Sequence, residues 1–266
     1  MDTPGEILEK YANEIGGHRK WLRSFDEGYA SKWEKLLKAD PEAAICEAAT
    51  RELLLQHAIE VEPNEDPSSG GPDFICTRDG KCFYVEVTCI TTKKATQKAH
   101  LTDKPSTDGY YRLLTKAILG EICNKTRQCS NLDAPCIIAI STLHRQAGAR
   151  CFGKHGVENL LTGTRDLSMG FDAEQGRGVG SVYEIADLRD AAFIRFDRGS
   201  AGQTEFARNP ISAVLLCAFG YLPMKALGAL HPNPNLEFDR ALLPNIEFAR
   251  FAEGFQQTNQ LDVEWI

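Results

Sequence analysis

The chain has 266 residues with 42% apolar and 25% charged side chains, enough to bury a proper core in one large domain or two small ones. Its net charge of −7 excludes a surface coated in basic residues, although a nuclease needs only a local basic patch. No apolar run approaches the roughly 20 residues that span a bilayer, and Met1-Asp2-Thr3-Pro4-Gly5-Glu6 does not read as a signal peptide, so no membrane partner and a cytoplasmic setting are expected.

Residues 1–39 read as helix with a break at Gly16-Gly17. Asp40-Pro41-Glu42 then starts a new helix, with an N-cap, a proline at the first helical position and an acid in the first turn. That helix is expected over 41–57, followed by a short strand at 58–61 and a polar loop to Gly71. A β-hairpin follows, then a polar stretch over 91–109, a helix over 110–129 and a buried strand over 135–141, whose run Cys136-Ile137-Ile138-Ala139-Ile140 is continuously apolar. Beyond residue 142 the pattern is less regular: a short helix near 157–161, a glycine-rich loop at 176–180, strands near 192–196 and 211–217, and a proline-rich segment at 231–234. The nine cysteines form no Cys-x-x-Cys pair and sit mostly in apolar runs, so buried reduced thiols are expected rather than zinc ligands. His144, His155 and His231 are scattered and lack metal-ligand spacing.

The hairpin carries the chemistry. Asp79-Gly80 between alternating apolar residues signals a type I′ turn. With those two residues as the loop, Arg78 opposes Lys81, Phe74 opposes Val85, and Asp73 opposes Glu86. Opposed residues share a face about 4.5–5.5 Å apart, and like charges there repel. A divalent cation would relieve that repulsion with the oxygen ligands that Mg²⁺ or Mn²⁺ prefers. The alternative is a solvated edge whose acids keep it soluble.

Pro72-Asp73, a hairpin, and Glu86-Val87-Thr88 together resemble the signature of the PD-(D/E)XK nuclease superfamily. The resemblance covers roughly residues 41–141. It implies an α/β fold, a restriction-endonuclease-like mixed β-sheet flanked by helices, here with an N-terminal helical segment (1–40) and a C-terminal extension of strands and loops (142–266) packed on the core. It implies metal ligation of Mg²⁺ or Mn²⁺ by Asp73 and Glu86, joined by Glu47 from the preceding helix. Thr88 stands where the family expects lysine. Lys125 and Gln128 on the following helix resemble a displaced lysine and glutamine seen in divergent members, which would put both at the catalytic site; the alternative is that this helix end emerges into solvent. Glu47 equally has an i, i+4 partner in Arg51.

Lys93, Lys94, Lys98, Lys104, Arg112, Lys116 and Arg127 form a local basic excess after the hairpin. Lys93, Lys94, Lys98, Arg112, Lys116 and Arg127 are the expected nucleic-acid contacts; Tyr110 and Tyr111 could stack on bases or pack inward. The expectation is a metal-dependent phosphodiesterase acting on nucleic acid, DNA rather than RNA, with a homodimer left open. Its rivals are a non-catalytic module of the same fold that binds nucleic acid or protein, and an interaction protein acting through residues 142–266.

Overall fold

Aspartate caps, not glycines, start the third and fourth N-terminal helices. The computed structural model describes residues 4–64, 71–99, 111–172, 174–196, 204–220, 224–252 and 262–266. Helices α1 (Pro4–Lys10), α2 (Ala12–Phe25) and α3 (Glu27–Ala39) precede α4 (Pro41–Gln56). The break expected at Gly16-Gly17 lies inside α2, because a glycine pair weakens a helix without ending it. Asp26 is the real divider: its backbone is extended and its carboxylate accepts from the Gly28 N–H, starting α3. Asp40 caps α4 through the Ala43 N–H at 3.1 Å, with Pro41 in the first turn, as anticipated.

Ala58, at φ 55°, turns the chain out of α4. The next strand, β1 (Glu60–Pro63), therefore starts two residues later than expected. Strands β2 (Phe74–Arg78) and β3 (Lys81–Cys89) form the anticipated hairpin, and Asp79 and Gly80 at φ 53° and 72° supply the two positive angles of a type I′ turn. The ladder runs from Arg78↔Lys81 to Phe74↔Val85 in the expected register. It stops there. Asp73 lies one residue outside β2, so the expected Asp73–Glu86 pair is not a ladder pair.

The stretch expected to be an irregular polar segment holds α5 (Thr92–Ala99). Helix α6 (Tyr111–Lys125) ends four residues before the expected position, and the chain turns over 126–130, where Thr126 and Ser130 hydroxyls bond back to the carbonyls of Ile122 and Thr126. Strand β4 (Cys136–Thr142) follows as expected. Helices α7 (Arg145–Cys151) and α8 (Lys154–Thr162) take the place of one short helix. The glycine-rich loop at 176–180 is the turn and first residues of a hairpin between β5 (Thr164–Asp172) and β6 (Arg177–Asp187). Strands β7 (Ile194–Phe196) and β8 (Thr204–Phe206) form a second small ribbon. Strands β9 (Ala213–Ala218), β10 (Lys225–Leu230), β11 (Phe248–Phe251) and β12 (Val263–Trp265) complete the chain.

The main sheet has the order β1-β2-β3-β4-β9-β10-β11-β12. Strands β3, β4 and β9 run parallel, flanked by antiparallel partners, which makes the fold α/β with a mixed sheet. The residues after 142 are thus not a separate layer, since β9 pairs directly with β4. One sheet face, with Phe74, Phe83, Val85 and Val87, packs on α1–α4; the other, with Ile138 and Ile140, packs on α5–α8. Helices on both faces explain why β4 is buried at every position. No described helix is long and apolar enough to cross a membrane.

Gly228 of β10 faces Phe248 of β11, and a Cβ there would lie 2.2 Å from that fully buried ring. Gly228→Ala is expected to destabilise the fold by about 1–3 kcal/mol through overpacking, read as a lower urea midpoint.

Candidate functional site

Because β2 starts at Phe74, the outer edge of β3 beyond Val85 pairs with no strand among the described residues. An edge N–H left unbonded inside a core is costly. Here Asp73 supplies the acceptor: its Oδ2 takes the Val87 N–H at 2.7 Å, replacing a ladder carbonyl. The backbone of Asp73 is held in turn, its carbonyl accepting from the Asn64 N–H at 2.9 Å, while the Asn64 side chain donates to the Pro72 carbonyl.

Strand alternation sends Glu86 to the opposite face from Val85 and Val87, beneath α6. Its side chain has about 1% exposure. Lys125, in the last turn of α6, donates from Nζ to Glu86 Oε1. Burial alone would pull the Lys125 pKa down, but Glu86, with Asp73 and Glu121 beyond it, outweighs burial and holds the ammonium above the ordinary lysine range. It stays charged through neutral pH.

Thr88 is two residues further along the same face. Its hydroxyl donates to Glu121 Oε2 at 3.1 Å, and Lys94 of α5 donates to the other oxygen of that carboxylate. Glu47, on α4, is bonded to His18 of α2, Nε2 to Oε1 at 3.2 Å. His18 has no exposure and packs against Trp33 and Trp21 at ring distances of 4.8 and 5.1 Å. Burial, with the nearby Arg51 charge, pushes its pKa down to about 3, so the neutral ring donates to Glu47. Arg51 itself stacks over Trp21 rather than pairing with Glu47 in the i, i+4 fashion the sequence allows. Beside Glu47 and Thr88 in sequence, the Cys46 and Cys89 thiols are in contact at 3.2 Å.

Glu47, Asp73, Thr88 and Lys125 line one cavity of about 400 Å³. Four of the expected site residues are therefore together, and Glu86 is directly beneath Lys125. Gln128 is not with them. It sits in the turn after α6, half-buried, because the helix ends at Lys125 and the stripe that would have carried Gln128 inward ends with it. Among the expected nucleic-acid contacts, Lys94 is engaged with Glu121, and Lys93, Lys116 and Arg127 are exposed outside the cavity lining. Lys98 and Arg112 lie in α5 and α6, but their side chains, that of Tyr111, and residues Lys104 and Tyr110 fall outside the described residues. His144 caps α7 through Nδ1, His155 is exposed, and His231 is a buried structural ring bonded to the Ala207 carbonyl and the Asn233 N–H.

The expected three-acid ligand set does not converge: among the described residues no group of three or more His, Cys, Asp or Glu side chains forms a metal cluster. Glu47 lines the cavity but is engaged by His18. Of the carboxylates expected to hold a cation, Asp73 lines the cavity and Glu86 lies under Lys125, and both, with Glu121, act on that ammonium. Two carboxylates suffice for Mg²⁺, which keeps most of its water and takes the rest from substrate phosphates. Sequence reasoning missed His18, for which no local signal exists, and Glu121, which could have been found four residues before Lys125 on the same helix face. Comparisons with protein-family models, curated proteins and solved structures found no match.

Removing the ammonium strands a buried carboxylate. Lys125→Met is expected to cost about 3–5 kcal/mol, and adding Glu86→Gln should recover part of that loss; a double-mutant cycle by urea unfolding reads the coupling. His18 titrates lower in the fold than in the unfolded chain. Its contribution is full above about pH 6.5 and is lost as pH falls towards 3. His18→Gln should therefore flatten the acid limb of the stability profile, by up to about 1.4 kcal/mol per pH unit.

Proposed function

We propose that the protein is a metal-dependent nuclease that hydrolyses phosphodiester bonds in nucleic acid, DNA rather than RNA, with a core of the PD-(D/E)XK kind. The observation that carries this reading is the contact between the buried Glu86 carboxylate and the Lys125 ammonium, beside Asp73 on the edge of β3. The order α4, β1, β2, β3, α5, α6, β4, with β3 and β4 parallel, supports it, since the resemblance of Asp73 and Glu86-Val87-Thr88 implies a helix, a hairpin and a buried strand in one mixed sheet, here with α5 added between β3 and α6.

In this reading Lys125 supplies from α6 the positive charge that Thr88 lacks. Its ammonium, held by Glu86, offsets charge that builds on the phosphoryl oxygens in the transition state. The Thr88 hydroxyl spends its proton on Glu121, which leaves its lone pairs to accept from a water at the cavity wall. Asp73 and Glu86 are the residues that would hold Mg²⁺ or Mn²⁺, and a bound ion supplies an activated water and charge neutralisation. Glu47, oriented by His18, adds a third acid to the same cavity.

A non-catalytic nucleic-acid-binding module with the same core is the second reading, favoured by Thr88 at the lysine position. Plasmid and single-stranded DNA incubated with Mg²⁺ or Mn²⁺ separate the two. Wild type should cut only with metal, and Asp73→Asn and Glu86→Gln should each slow cutting by about 100-fold or more, with folding checked by circular dichroism. Equal cutting by all three proteins would mean a contaminant. Binding without cutting would favour the module.

A further inference from the structure

The cavity has a second wall that the proposed chemistry does not use. Besides Glu47, Asp73, Thr88 and Lys125, the cavity is lined by Leu22 of α2 and Tyr29, Lys32, Trp33 and Leu36 of α3. This wall is anchored rather than loose. Leu22 and Trp33 are each about 3% exposed, and Trp33 packs on the His18 ring that holds Glu47. Tyr29 and Lys32 reach further towards solvent: Tyr29 is half-buried with one side packed against the core, and Lys32 is exposed. Three residues apart on one helix, they lie on the same face, so an aromatic ring and an ammonium stand side by side at the cavity.

A space of about 400 Å³ is the size of a small-molecule site. A duplex, whose major groove alone is about 12 Å wide, does not fit within it. An unpaired nucleotide does, and it presents the two groups that this wall matches: a flat base, which stacks on aromatic side chains without regard to sequence, and a phosphate, which pairs with lysine.

We infer that α3 is the substrate-selecting wall, and that the site takes single-stranded nucleic acid or a splayed strand end, with a base against Tyr29 and a phosphate beside Lys32. The inference rests on the nuclease reading of the same cavity, but it concerns which strand enters, not what is done to it.

The test measures binding separately from cutting. A fluorescein-labelled DNA oligonucleotide and its matched duplex are titrated with the full chain in Ca²⁺, by anisotropy, and the same oligonucleotides are then incubated in Mn²⁺. The single strand should bind at least about tenfold more tightly than the duplex. Tyr29→Ala should lose about tenfold in single-strand affinity while Tyr29→Phe keeps it, and Lys32→Ala should lower the salt slope by about 0.7. Equal or tighter duplex binding overturns the inference, as does Tyr29→Ala binding like wild type in a protein whose melting temperature is unchanged. Tyr29-dependent binding of a strand that Mn²⁺ never cuts would leave the selecting wall standing and overturn the nuclease reading. Cutting with no Tyr29 dependence would do the reverse.

Discussion

A carboxylate without solvent must be held by something, and the hold on Glu86 organises one side of this molecule. The Lys125 ammonium can reach it only if α6 crosses β3 with its last turn over Glu86. That same placement brings Glu121, one turn earlier, to Thr88 and Lys94, so α5 is tied in through the same carboxylate chemistry. A buried ion pair is seldom the cheapest way to stabilise a core, since apolar residues of similar size are often as good or better. Its position beside an open cavity, rather than any gain in stability, is what connects Glu86 and Lys125 to the proposed chemistry.

The cavity itself follows from a strand that starts late. Had β2 begun before Asp73, a ladder carbonyl would have met the Val87 N–H and the edge of β3 would be closed. Instead a side chain fills that role, which pins the Asp73 carboxylate at the point where the edge opens. Asp73 thus has a structural duty as well as the proposed one. The two are compatible because an ionised carboxylate can accept about four hydrogen bonds or ligand contacts at once.

On the far side, the N-terminal helices do more than cover the sheet. His18 reaches from α2 to Glu47 on α4, and the tryptophans around it leave the ring no water. A ring so placed cannot easily take a second proton, which is why it remains a neutral donor to Glu47. The chain from Trp33 through His18 to Glu47 makes the wall carrying Tyr29 and Lys32 part of the same packed unit as the acids that line the cavity with it.

Local rules made much of this visible in the sequence. Asp40-Pro41 specifies the start of α4, Asp79-Gly80 specifies the turn and with it the β2–β3 register, and the apolar run at 136–140 specifies a strand buried on both faces. Helix periodicity also put Lys125 inward, where it meets Glu86, but the ladder ends at Phe74, so the expected cross-strand pairing of Asp73 with Glu86 did not form. Where β2 begins and what Glu47 touches were not legible, because each depends on residues separated in the chain, Asn64 on Asp73 and His18 on Glu47; the end of α6 was missed for a local reason, the hydroxyl-bonded turn over 126–130. The hairpin was determined by the sequence alone, since a two-residue turn and alternation are short-range constraints. Only the tertiary structure decided that Asp73 would serve as a substitute ladder acceptor, because that depends on where the strand pairing stops, and that Glu47 would answer to a histidine and α3 would wall the cavity, because those partners meet only when the helices pack.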